Sequence, residues 1–404
     1  MIALEMRHPA DDELERVLAT VEAVFGNELR HPDEALAAAR ATLPLDRILA
    51  VFDGGSVVGV AAAYPLSMTI PGGELPCGGV SWVGVLPSHR RRGLARDLMR
   101  RQLAELHERH EPLAALWASE AAIYGRFGYG FAVPGQRLDA DRAGFAYRAD
   151  VGPAGQVRLL STEQALETLP GIYDRARPAR AGVMARTLTW WQEHVLSQRD
   201  EPPESGTRFL AALELDGVPA AYAIYRVRHS WEQGLAGNTV AVQEALGTST
   251  LATKEMWRFL FGIDLSARVT ARHLDPAAPL RLNVMDPRHL RMSLGDGLRL
   301  RLIDVEAALK ARGWPTSDGL IVEVRDEFCP WNSGRYQVGQ GAGRALGTPD
   351  LSLDVMDLAS AYLGGVGMGW LAASGLVEEH TPGAVARADA LFHTLLPPHS
   401  PGEF

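Results

Sequence analysis

VSWVGVLPSHRRRGLA, residues 80–95, begins as an apolar strand, passes a proline, turns through three arginines and a glycine, and ends as the opening of a helix. Arg90, Gly93 and Ala95 satisfy an arginine-x-x-glycine-x-glycine/alanine pattern. A glycine-containing turn at a helix N-terminus aims several backbone N–H groups at one point. The helix dipole adds partial positive charge there, and together they suit a pyrophosphate. Arg91 and Arg92 add charge. Taken alone, so short a pattern also describes a basic turn that merely caps a helix, so its surroundings decide.

Upstream, Leu14, Val17, Leu18, Val21 and Val24 recur at helical spacing, and Leu36 opens a second helical stretch. ILAVF before Asp53, the turn Gly54-Gly55, and the run from Val57 to Tyr64 predict a hairpin. Downstream, Leu94, Leu98, Leu103 and Leu106 give an amphipathic helix, residues 112–118 a buried strand, and Glu120 to Arg126 a short helix. A weaker echo follows. Phe209 to Gly217 and Val218 to Val227 repeat the hairpin, Thr239 to Leu246 the central strand, and Lys254 to Phe261 its helix, which suggests duplication. The turn between that strand and helix, residues 247–253, has no arginine. In the last hundred residues, 298–304, 320–326 and 334–339 alternate as strands. Residues 350–363 and 381–396 are expected to be helices, and the tail from Pro397 to Phe404 to be frayed.

The 404 residues suffice for two or three domains. Apolar residues at 47% and charged residues at 22% exclude a disordered, collagen-like or coiled-coil chain. A formal charge of −9 disfavours unaided nucleic-acid binding. Cys77 and Cys329, far apart and in no CxxC pair, suggest neither a disulfide framework nor a zinc site, and a cytoplasmic location is expected. His107 and His110 lack a carboxylate at ligand spacing, so no metal is expected. The uncharged runs 54–73 and 358–377 are broken by proline or glycine, so no membrane span is expected.

With ASEAAIYGRFGYG at residues 118–130, the glycine turn resembles the GNAT superfamily of acyl-CoA-dependent N-acyltransferases. The resemblance implies a bulge in the strand before the turn, expected at Gly84, whose N–H would stabilise the oxyanion of a tetrahedral intermediate, with Val83 and Val85 pairing the pantetheine arm. It makes Tyr124, in a Tyr-x-x-x-Gly-Tyr spacing, the candidate general acid for the departing thiolate.

Over nearly its whole length the chain is similar to the Eis (enhanced intracellular survival) acetyltransferases, including the terminal Glu-Phe. The fold class implied is α/β (α+β). Two tandem GNAT-like lobes, residues 1–148 and a degenerate 149–292, precede a sterol-carrier-protein-like lobe, residues 293–404. Acetyl-CoA would be held by Val83, Gly84, Val85, Arg90, Arg91, Arg92, Gly93, Leu94, Ala95, Arg96, Ser119 and Glu120. The carboxylate of Phe404 would be the base, burial raising it from a reference value near 3.5. Trp82, Glu28 and Glu403 are candidates for the acceptor pocket, although no tryptophan precedes Trp82 where relatives can carry one. The implied activity is acetylation of aminoglycoside-like polycationic amines by direct attack in a ternary complex, without a metal, by a homo-oligomer of hexameric type. Trp190, Trp191 and Trp231 are candidate interface arms. Alternatives are a lysine Nε-acetyltransferase and a lipid or acyl-CoA carrier.

Overall fold

The computed structural model describes residues 4–149, 152–199 and 203–404. The first third contains β1 (Glu5–Arg7), α1 (Leu14–Val24), α2 (Pro32–Thr42), β2 (Ile48–Asp53), β3 (Ser56–Ile70), β4 (Gly73–Val85), α3 (Leu94–Glu108), β5 (Leu113–Trp117), α4 (Ala121–Tyr124) and β6 (Gly130–Asp141). Then come β7 (Gln156–Leu160), α5 (Thr162–Ala176), α6 (Leu188–Trp190), β8 (Thr207–Leu215), β9 (Val218–Arg228), β10 (Trp231–Glu232), β11 (Leu235–Ala236), β12 (Asn238–Gly247), α7 (Thr250–Gly262), β13 (Ser266–Ala271) and β14 (Ser293–Leu302). The remainder is α8 (Val305–Ala311), β15 (Gly319–Arg325), β16 (Gly334–Gly339), β17 (Gly343–Arg344), β18 (Leu351–Asp354), α9 (Val355–Tyr362), α10 (Met368–Ala373), β19 (Val377–Glu379) and α11 (Ala384–Phe392).

Two compact units result, one of Met1–Ala132, Leu298–Leu395 and Phe404, the other of Val133–Gly297 and Leu396–Glu403. In the first, the strands run β1-β2-β3-β4-β5, and Leu298–Leu302 of β14 pair antiparallel with Leu113–Trp117 of β5. Two-residue turns make β2, β3 and β4 antiparallel neighbours. The helical crossover α3 returns the chain as β5, parallel to β4. That parallel ladder holds only Cys77↔Leu113, Gly78↔Ala114 and Gly79↔Ala115. Beyond Gly79, β4 runs on to Val85 with no strand beside it on that edge among the described residues. A separate sheet in the same unit orders β17-β16-β15-β18-β19, its core side formed by Leu320, Val322, Val324, Leu351 and Leu353, all buried.

The second unit repeats the plan. Leu138–Asp141 of β6 pair with β13, followed by β12, β9, β8 and β7, with α7 as the crossover between the parallel strands β12 and β13. Trp191 is fully buried against Tyr173 and Tyr222, and Trp190 is 8% exposed and stacked on His194. Both serve the core rather than an interface arm, whereas Trp231 is 62% exposed.

Two local expectations fail. Residues 351–354 form strand β18 because Leu351 and Leu353 alternate into the core; the helix starts at Val355, where the Asp354 side chain caps the Met356 N–H. Nor is the tail frayed. Pro398 to Pro401 are buried, the His399 N–H donates to the Ala181 carbonyl at 2.9 Å, and Arg180 donates to the Pro397 carbonyl at 2.8 Å while gripping Asp275.

Candidate active site

The free edge of β4 is distorted where it would meet an extended ligand. Pairing slips by one residue between Val60↔Gly84 and Ala62↔Ser81, so Trp82 and Val83 together face Ala61. Trp82 has φ +58°, a left-handed conformation that costs an L-residue roughly 1–2 kcal/mol and persists only where its surroundings impose it. Its ring meets Tyr64 edge-on at 6.2 Å. The bulge therefore lies at Trp82–Val83 and not at the expected Gly84, which stays in register with Val60. Gly84 is small for another reason: a Cβ there would overlap Val24 Cγ1, so the glycine admits the end of α1.

After β4 the chain turns into α3. Arg91 (φ +63°) and Gly93 (φ +86°) are left-handed, a backbone that turns successive N–H groups towards one side. The N–H groups of Arg96 and Asp97 donate to the Gly93 carbonyl at 3.0 and 3.1 Å, whereas those of Leu94 and Ala95 have no acceptor within the helix. His89 on Asp53 at 3.1 Å and the Arg90 Nε on the Val85 carbonyl at 3.2 Å pin the turn. Arg90, Arg91, Arg92, Gly93 and Arg96 are exposed, and Leu94 and Ala95 are half-buried. The result is an open, positive cradle of backbone donors of the kind a diphosphate fits.

Tyr124 ends the short helix α4; Ser119 and Glu120, just ahead of that helix, are exposed. The Tyr124 ring is buried in a cluster with Val80 and Tyr129, against which Val83 packs. Its hydroxyl forms no hydrogen bond among the described residues, and burial, then the charge of Glu120, pushes its pKa above the usual phenol value. The terminal residue reaches the same strand: the Ser81 hydroxyl donates to a Phe404 carboxylate oxygen at 3.4 Å, and the Phe404 ring covers Gly79. Ser81 escaped the sequence reading, since one serine in an apolar strand carries no local signal.

The other candidates lie elsewhere. Glu28 is exposed between α1 and α2 and forms no hydrogen bond or ion pair among the described residues. Glu403 belongs to the second unit, where it meets His273 Nε2 at 3.2 Å, a hydrogen bond that holds its carboxyl below the ordinary range. It lines a cavity of about 540 Å³ with Arg186, Trp190, Arg226, Glu244 and His273.

Residues 5–132 match the acetyltransferase (GNAT) domain family, residues 182–302 a second acetyltransferase (GNAT) domain, and residues 305–401 the sterol carrier protein domain. An N-acetyltransferase of Streptomyces avermitilis is 38% identical over 89% of this chain and 90% of its own. N-acetyltransferase Eis of Mycobacterium tuberculosis is 35% identical over 92% of both chains. The chain belongs to the Eis family of GNAT N-acetyltransferases. The crystal structure of Eis1 from Mycobacterium abscessus superposes with a TM-score of 0.86 at 31% identity, covering all of both chains.

This Eis-family chain is thus an acyltransferase with two GNAT domains and a sterol-carrier domain, and the GNAT fold implies acetyl-CoA as donor. Its second GNAT domain keeps the strand distortion, β12 slipping against β9 at Gln243, and its parallel ladder also stops early, at Val242↔Ala271. What it lacks is the cradle. At the start of α7, Ser249 Oγ accepts the Ala252 N–H at 3.1 Å, occupying a donor that an anion would need. Among the described residues, no three His, Cys, Asp or Glu side chains are placed to hold a metal, and no helix is long and apolar enough to cross a membrane.

Proposed function

We propose that the first GNAT domain transfers acetyl from acetyl-CoA to a primary amine by direct attack in a ternary complex. Acetyl-CoA lies along β4, its diphosphate on the N–H groups around Arg91 to Arg96, its pantetheine beside Val83 and Val85, and Ser119 and Glu120 at the margin. The thioester carbonyl accepts from the backbone at the bulge, so oxyanion stabilisation belongs to the Val83–Gly84 segment. The Phe404 carboxylate takes the proton of the attacking amine, and Tyr124 protonates the leaving thiolate. The observation that carries this reading is the convergence of the bulge, the Tyr124 ring and the terminal carboxylate within one stretch of β4, residues 80–85. A hydroxyl that forms no hydrogen bond among the described residues, on a ring otherwise buried, supports Tyr124 as acid rather than as a structural tyrosine.

For the acceptor we propose a small amine, with aminoglycosides first because the family resemblance points there, and a lysine side chain as the second reading. A lipid carrier is less well supported, since the cavity beside Gly364 and Gly367 is lined also by Asp389 and His393. Cytoplasmic homo-oligomers complete the proposal, with exposed Trp231 and Leu235 as apolar contact surface.

Thiol release from acetyl-CoA with kanamycin, neomycin or a lysine peptide tests both parts. Tyr124→Phe is expected to lower kcat by about 10²-fold without weakening acetyl-CoA binding. An unaltered kcat removes the acid, and release with the peptide alone removes the aminoglycoside assignment.

A further inference from the structure

Arg301, on β14, has a fully buried side chain. Its Nη2 donates to Asp326 Oδ2 at 2.6 Å. Asp326 is itself fixed, accepting the Cys329 N–H at 2.9 Å and the Asn332 amide at 3.0 Å, while Asn332 also accepts the Val305 N–H at 3.1 Å. The guanidinium is nevertheless under-used. Among the described residues Nε and Nη1 meet no acceptor, and the neighbouring Cys329 thiol is raised to about 11 by burial, which the guanidinium only partly offsets. A buried ion pair is seldom the most stable filling for a core, so its geometry rather than its energy asks for a purpose.

That geometry leads to the Tyr124 turn. Gly128, at φ +82°, lies directly on the guanidinium: a Cβ there would be 2.7 Å from Cζ and Nη1 and 2.9 Å from Nε. The Gly128 N–H donates to the Gly125 carbonyl at 2.9 Å, and the Tyr129 N–H to the Tyr124 carbonyl at 3.3 Å. The fully buried Tyr129 ring meets Tyr124 edge-on at 6.0 Å. Ser360 of α9 accepts the Phe131 N–H at 2.9 Å, and Met356 Sδ would be 3.2 Å from a Cβ on Gly125. Gly128 and Gly130 of YGRFGYG, residues 124–130, thus face Arg301 and the α9 backbone with no room for a Cβ, and Gly125 is tight against Met356. A helix of four residues cannot hold its own orientation, so something outside it must.

We infer that Arg301, locked by Asp326, is a positioning residue for acetyl transfer: its planar guanidinium seats Gly128 and Tyr129, and these orient the Tyr124 hydroxyl. The inference rests on Tyr124 as the acid. The effect is one of shape, because the charges and burial that shift Tyr124 do not include Arg301. Lysine at 301 keeps the charge and loses the plane.

The test is a double-mutant cycle in the full chain with Arg301→Lys and Tyr124→Phe, reading kcat, the KM for acetyl-CoA and the unfolding temperature. Arg301→Lys is expected to lower kcat about tenfold with KM within about twofold, and to cost less than about twofold more once Tyr124 is phenylalanine. A folded Arg301→Lys enzyme with normal kcat overturns the inference, as does an equal loss in both backgrounds, which marks a general structural role. If Arg301→Lys does not fold, Ser360→Ala serves instead, with a smaller kcat loss that must likewise vanish in the Tyr124→Phe background. Normal kcat in Tyr124→Phe alone overturns the acid and the inference together; an impaired Tyr124→Phe beside a normal Arg301→Lys overturns the inference only.

Discussion

Removing Phe404 would separate the chemistry of the terminal carboxylate from the binding of acetyl-CoA. Consecutive Cα atoms lie about 3.8 Å apart, so deleting one residue withdraws the carboxylate by about that distance from Ser81. The Ser81 contact, at 3.4 Å, is already at the limit of a hydrogen bond, and such a withdrawal takes the proton acceptor out of reach of a nitrogen held at β4. General base assistance is worth about 10²–10⁴ in rate, or about 3–5 kcal/mol of barrier. The half-buried Phe404 ring contributes at most about 1–2 kcal/mol to stability, and the cradle between Arg90 and Arg96 does not involve it. The expected result is therefore a kcat lowered by about 10²-fold or more, followed by thiol release. Acetyl-CoA affinity, followed by calorimetric titration, should stay within about twofold because the phosphate contacts are untouched. Extending the C-terminus by several residues should have the same effect. Should the truncated enzyme keep a kcat within about threefold of the full chain, the proton must leave by another route.

Two further expectations concern stability. His399 is buried, and burial followed by the Arg180 charge lowers its pKa from 6.5 to about 4, with Asp275 opposing. Above pH 6.5 the imidazole is neutral in both folded and unfolded chains. As pH falls, the unfolded chain takes the proton first, so by pH 4.5 folding should lose about 2–3 kcal/mol. Urea midpoints measured from pH 7 to 4.5 should fall more steeply for the wild type than for His399→Gln, and parallel curves would contradict the burial. Gln102 is 3% exposed, and neither its Oε1 nor its Nε2 has a partner among the described residues. Gln102→Leu removes an unsatisfied amide and should stabilise the first unit by about 1–2 kcal/mol, raising its unfolding temperature by a few degrees; a fall would show that the amide is satisfied.

Local patterns made much of this protein legible in its sequence. Helical spacing from Leu14 to Val24 and from Leu94 to Leu106, the turn at Gly54, and the duplicated hairpin at Phe209 to Val227 each depend on near neighbours, and each recurs in the fold. The cradle was equally plain, because a basic, glycine-bearing turn between strand and helix needs only consecutive residues. The bulge was misplaced by two residues for a physical reason: glycine at 84 answers to Val24 on α1, whereas the distortion falls on Trp82, a residue with no preference for positive φ. The same limit hid β18, whose leucines take their meaning from the strands beside them.

Nothing in the local sequence says that Phe404 returns to Ser81, 323 residues earlier, or that Arg301 lies beneath Gly128. Composition, periodicity and turn chemistry pointed to most of the elements and to where a basic glycine turn stands between strand and helix, since these follow from short-range backbone preferences and apolar spacing. Which strand edge stays open, which hydroxyl the terminal carboxylate meets and what braces Tyr124 were decided by tertiary packing alone. Those relations join residues far apart in the chain, whose proximity exists only once the cores have closed.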